Sequence, residues 1–245
     1  MNDSIEFQLV TENIASVVDP QLRVVGSVSP YWNFIVVFAA MLIMVFNKQL
    51  YSLRFRMMLS VFNQTSDSDK MTREWNPLMS INGLSILVTY IAMLALIVQK
   101  IVLVFSGNFI LYSSFSFYLD ICAFIATILL LQYLFVSLYG WLFGFEVAAM
   151  HQEVTHLSSM AVINIAMIVF GLIILYYPSK FILILASVIL LIIMVFRIFK
   201  TFFEFQILSR MNLLNNFLYF CTLEIIPLSV AITMVYRLVV TDCVL

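Results

Sequence analysis

The stretch that decides the fold is LSSMAVINIAMIVFGLIILY (residues 157–176), YPSK (177–180) and FILILASVILLIIMVFRIF (181–199), which follow one another without a gap. A helix rises about 1.5 Å per residue and a bilayer core is about 30 Å thick, so a span needs roughly 20 apolar residues. Both runs meet that length, and Tyr177-Pro178-Ser179-Lys180 is a tight polar turn between them. A transmembrane β-strand would alternate polar and apolar positions over about ten residues. These runs are continuous, so they read as two helices of a membrane hairpin.

Working outward, four more apolar runs are separated by polar breaks, at residues 31–46, 81–105, 117–139 and 213–236. The expected fold is all-α, a polytopic bundle of six transmembrane helices over residues 31–240. Composition agrees: 64% of the 245 residues are hydrophobic and 10% charged, against roughly 25% charged in a soluble domain. With 6 Gly and 5 Pro against 23 Phe, 14 Met and 11 Tyr, collagen-like and disordered classes are excluded. A formal net charge of −1 offers no basic surface for nucleic acid. Cys122, Cys221 and Cys243 include no close pair, so neither a disulfide framework nor a zinc site is expected.

Lysine and arginine set the direction of the chain, because cytoplasmic loops retain them. Lys48, Arg54, Arg56, Lys70, Arg73, Arg197, Lys200 and Arg210 fall on one side of a six-span bundle. Arg23, Lys100, Lys180 and Arg237 fall on the other. Eight against four predicts both termini outside, periplasmic in a bacterial inner membrane. Residues 1–30 fit this as an acidic tail, with Asp3, Glu6, Glu12 and Asp19 against Arg23. They show no basic segment leading into an apolar core, so the first span is expected to stay as an anchor.

Residues 48–63 predict an amphipathic helix along the membrane surface. Leu50, Leu53, Phe55, Met57, Met58, Val61 and Phe62 share one arc, while Lys48, Gln49, Ser52, Arg56, Ser60 and Asn63 lie opposite. The competing reading is that span one continues as a helix packed on its neighbours. After the third span, Glu146, Glu153 and His156 share a helical face at spacings of seven and three, weak candidates for a metal. His151 points away from that face, and the His-Glu-x-x-His pattern of metalloproteases is missing. A solvated cytoplasmic connector is therefore expected there, with no metal and no cofactor. Gly140 and Gly144 are four apart, a spacing that permits a close helix contact or marks a turn at the span's end.

Ionisable groups inside spans are costly, about 3 kcal/mol or more near the midplane. Glu224 is the clear case, about eleven residues into the sixth run, or roughly 16 Å by helix rise. Pro227 removes an amide and clashes with the carbonyl four residues back, so a kink beside the acid is expected. Arg197 is the cation best placed to answer Glu224, as a structural pair or a relay. Lys100, Asp120 and Thr222 are possible supporting polar residues.

The segments Leu138-Tyr139-Gly140-Trp141-Leu142-Phe143-Gly144, Phe196-Arg197-Ile198-Phe199-Lys200 and Tyr219-Phe220-Cys221-Thr222-Leu223-Glu224-Ile225-Ile226-Pro227-Leu228 resemble a family of uncharacterised multi-pass inner-membrane proteins of Bacteroidota. The resemblance runs over about residues 31–237 and implies a multi-pass inner-membrane protein without supplying catalytic residues. The expected function is a non-enzymatic membrane component that binds lipids or other envelope proteins. A small proton- or ion-coupled transporter using Glu224 is the alternative, and a membrane-embedded enzyme the second. Partners are expected to be the lipid bilayer and other envelope proteins, not nucleic acid, and nothing in the sequence sets an oligomeric state.

Overall fold

A computed structural model describes residues 31–63, 80–106, 113–144, 146–177, 179–209, 229, 230 and 233. Among them every regular element is a helix. In chain order these are α1 (Tyr31–Leu50), α2 (Ser52–Asn63), α3 (Ile81–Ser106), α4 (Phe115–Phe143), α5 (Glu146–Tyr176) and α6 (Lys180–Ser209). All but α2 are long and apolar enough to cross a membrane, so the chain is a multi-pass membrane protein. The sixth expected span, residues 213–236, lies outside the described residues, as does the acidic segment 1–30.

Serine starts three of these helices. The Ser80 hydroxyl accepts from the Gly83 amide at 3.0 Å, Ser114 from Phe117 at 3.2 Å and Ser179 from Ile182 at 3.2 Å. Each satisfies one of the amides that a helix start leaves without a partner. Gly144 closes α4 with φ 72°, and its amide donates to the Gly140 carbonyl. A Cβ at Gly144 would meet nothing within 4 Å, so this position needs glycine for its backbone angle. Of the two readings of the Gly140/Gly144 spacing, Gly144 therefore serves the turn and not a close helix contact.

The connection from α1 to α2 is nearly seamless. The Tyr51 amide donates to the Asn47 carbonyl at 3.0 Å and the Phe55 amide to the Tyr51 carbonyl at 2.8 Å. Buried Phe55 and Met58 turn α2 inward, and α2 packs against α5, while Leu53 and Arg56 stay exposed. The amphipathic helix expected over residues 48–63 is thus docked on the bundle as a continuation of the first span.

Helix α5 is the centre of the bundle and packs against α2, α3, α4 and α6. Within its spanning segment 61% is buried, against 17% for α4 and for α6. One apolar core joins Val37 and Met44 of α1, Met58 of α2, Ile86, Met93 and Leu96 of α3, and Leu157 and Met167 of α5. Gly171 lets α5 approach α3 and α1, since a Cβ there would sit 2.8 Å from Met93 Cε and 3.6 Å from a Val37 methyl. At the opposite end from α2, Trp32 packs on Tyr118 with ring centroids 4.9 Å apart and on Phe115 at 5.4 Å, joining the starts of α1 and α4.

The connector expected between spans three and four is corrected by the structure. Only two residues separate α4 from α5, and α5 begins at Glu146, where the apolar run alone placed the fourth span at 157–176. His151, Gln152 and Thr155 are buried inside the bundle. They are packed away from solvent, a distinction that a hydropathy reading of one helix does not make.

Replacing Gly144 with Ala should cost about 1 kcal/mol through the left-handed backbone, and Gly144→Asn less. Unfolding of both variants in mild detergent checks the order.

Candidate functional site

Polar side chains in a membrane bundle must find partners inside it, because hydrocarbon offers none. In α3, Asn82, Ser85 and Thr89 recur at three and four residues, which places them on one face. The Ser85 hydroxyl accepts from Asn47 Nδ2 at 2.8 Å, binding α1 to α3. Asn164 Nδ2 donates to Thr89 Oγ1 at 2.5 Å, binding α5 to α3. The Ser158 hydroxyl donates to the Met58 carbonyl and so holds α2 on α5. Asn82 Nδ2 reaches Met58 Sδ at 3.8 Å. These contacts run from the end that contains α2 and the α4–α5 turn to the middle of α5, where Asn164 lies. In the other half Met93, Ala95, Leu96, Met167 and Ile168 are buried together with the amides of Asn33 and Gln99.

A small cleft of about 40 Å³, room for a few water molecules, opens in the polar half. Its polar lining is Gln132 and Tyr133 of α4 with Gln152, Glu153 and His156 of α5. Leu87 of α3, Leu129 and Val136 of α4, and Leu157 and Met160 of α5 supply apolar walls. Gln132 and Gln152 are buried, Glu153 and His156 half-buried, and Tyr133 is exposed at the mouth. His156 Nε2 is itself buried and has no hydrogen-bond partner among the described residues. Glu153 acts electrostatically on the Tyr133 phenol across the cleft.

Arg197 of α6 is 4% exposed, and its guanidinium acts electrostatically on His156. Its backbone carbonyl accepts from Thr201 Oγ1 at 3.0 Å. Arg197 is thus within electrostatic reach of the α5 imidazole, whereas its expected partner Glu224 lies outside the described residues together with Thr222 and Pro227. Lys100 is half-buried near the end of α3, Asp120 is exposed on α4, and neither lines the cleft. Of the weak metal candidates, Glu153 and His156 share the cleft. Among the described residues no group of three His, Cys, Asp or Glu side chains is arranged to hold a metal ion. The residues missed by sequence reasoning are Gln132, Tyr133 and Gln152. The signal available was Gln152 on the same helical face as His156, four residues on.

A family model described as Domain of unknown function (DUF4271) matches residues 33–235. The chain belongs to this family. The match spans every residue of the cleft and all of α2 to α6, so the polar half of the bundle is part of the DUF4271 domain. No curated protein and no solved structure matches the chain.

The Asn47–Ser85 contact should give a coupling energy of about 1 kcal/mol in a double-mutant cycle of Asn47→Ala and Ser85→Ala. Reversible unfolding in bicelles measures it, and strict additivity of the two single variants would contradict a direct bond.

Proposed function

We propose that this protein is a non-enzymatic, multi-pass component of the inner membrane of a Bacteroidota envelope, and that it acts by binding lipids or other envelope proteins. The observation that carries this reading is that the polar contacts between helices are closed pairs. A carrier needs polar groups that a solute or ion meets on its way through both halves of the membrane. Here Asn47 is tied to Ser85 and Asn164 to Thr89, so these groups hold helices together. A bundle locked in this way suits a protein that holds a partner in place.

The orientation proposed has both termini outside and the cleft in the cytoplasmic half. Lys48, Arg54, Arg56, Arg197 and Lys200 support it, since all lie in the half that contains α2. The Tyr-x-Cys-Thr-Leu-Glu-Ile-x-Pro-Leu pattern of residues 219–228 belongs to the same proposal as a mark of the Bacteroidota proteins.

Sided cysteine labelling tests the orientation. With the native cysteines replaced, Ser179→Cys should react with an impermeant maleimide on intact cells, and Gln49→Cys only after the inner membrane is opened. For the function, liposomes carrying the protein and a trapped pH-sensitive dye should lose an imposed proton gradient no faster than protein-free vesicles. Faster decay that Glu224→Gln abolishes would favour the proton-coupled carrier and overturn this reading.

A further inference from the structure

The outward face of α1 and α2 changes character along its length. Backbone bonds of helical spacing cross the junction, from the Tyr51 amide to the Asn47 carbonyl and from the Phe55 amide to the Tyr51 carbonyl, so residues on both sides of it share one register. At 100° per residue, Phe38, Leu42, Val45, Lys48, Ser52 and Arg56 fall within an arc of about 120°. All six are exposed. The opposite side of the same two helices, with Val37, Met44, Phe55 and Met58, is buried in the core.

That face has the layout of a phospholipid. Helix α1 is 20 residues long, which at about 1.5 Å per residue matches a hydrocarbon layer of roughly 30 Å. Phe38, Leu42 and Val45 therefore lie at the depth of the chains, and Lys48, Ser52 and Arg56 at the level of the headgroups. Leu50 and Leu53, 72% and 67% exposed, flank the cations and keep this elbow at the boundary between chains and heads.

Two cations define the head that fits. Lys48 and Arg56 lie two helical repeats of four apart, about 12 Å along the axis, and both have long stems that can reach a phosphate placed over the Ser52 hydroxyl. The hydroxyl donates one hydrogen bond to such a phosphate, and the guanidinium can donate two. Near an anionic headgroup each basic residue is worth about fivefold in affinity, a gain that a zwitterionic head offsets with its own ammonium. The apolar stripe runs into the basic one without a break, at the depth where a lipid makes the same change, which favours a lipid over a protein partner.

We propose that the α1–α2 face binds an anionic phospholipid, with a chain along Phe38, Leu42 and Val45 and the phosphate held by Lys48, Ser52 and Arg56. This rests on the reading of the protein as a component that binds lipids or other envelope proteins, and it names the lipid class and the face. Native mass spectrometry of the full-length protein in mild detergent tests it with dioleoyl phosphatidylglycerol and dioleoyl phosphatidylcholine, which share their chains and differ in the head. Phosphatidylglycerol should bind about tenfold or more tightly than phosphatidylcholine. Lys48→Gln and Arg56→Gln should each weaken it about fivefold and leave phosphatidylcholine unchanged. Arg56→Lys should retain most of the preference, and Lys180→Gln, at the other end of the bundle, all of it. Excess sn-glycerol 3-phosphate, which has the anion but no chains, should not displace the lipid. Equal binding of the two lipids, a preference that survives Lys48→Gln with Arg56→Gln, or displacement by glycerol phosphate overturns the proposal. Survival of the preference together with loss of a co-purifying protein from that double variant assigns the face to a protein partner instead. Proton-gradient decay does not enter this measurement, so the carrier question and the lipid question fail separately.

Discussion

The absence of water inside a bilayer is the constraint on which the rest of this structure depends. Each amide, hydroxyl or imidazole carried into the bundle must be answered by another helix, and the helix carrying the longest polar series becomes the one that the others surround. Helix α5 is that helix. His151, Gln152, Thr155, Ser158 and Ser159 all lie buried in its first half, and α2, α3, α4 and α6 pack around it. The more uniformly apolar α4 and α6 are left at the periphery, where exposed leucine, isoleucine and phenylalanine suit contact with lipid.

This arrangement separates two uses of polarity. Asn47 with Ser85, Asn164 with Thr89 and Ser158 with the Met58 carbonyl are closed pairs that hold α1, α2, α3 and α5 in register. Such interhelical bonds are worth about 1 kcal/mol each in a membrane, so they act as locators more than as a large reserve of stability. The groups lining the cleft stand apart because α4 meets α5 there through Gln132, Tyr133 and Val136 while leaving space between them.

The five described spans were legible because a continuous apolar run of sufficient length has few alternatives. The start of α5 was not. Residues 146–156 are as polar as a cytoplasmic loop, and a linear reading has no means of knowing that His151 and Thr155 meet other helices in place of solvent. The same reason hid Gln132, a single amide among leucines that reads as a tolerated irregularity until α5 is placed opposite it. Glu153 and His156 were visible as a pair on one face because helical spacing is a property of the sequence alone. Their partner across the cleft is a property of packing. Arg197 was singled out for its place near the end of a span, and burial gives it a role beside His156.

The polar first half of α5 also bears on how the chain enters the membrane. Alone in lipid, those turns would carry a series of groups with nothing to bond to, whereas α6, the most apolar of the described spans, would settle readily. Three residues separate the two helices, so α5 arrives tethered to a strong anchor. Its bonded partners, the Met58 carbonyl on α2 and Thr89 on α3, precede it in the chain and leave the ribosome first. The order of synthesis thus presents a receptive groove before the helix that needs it, and biogenesis and packing draw on the same asymmetry.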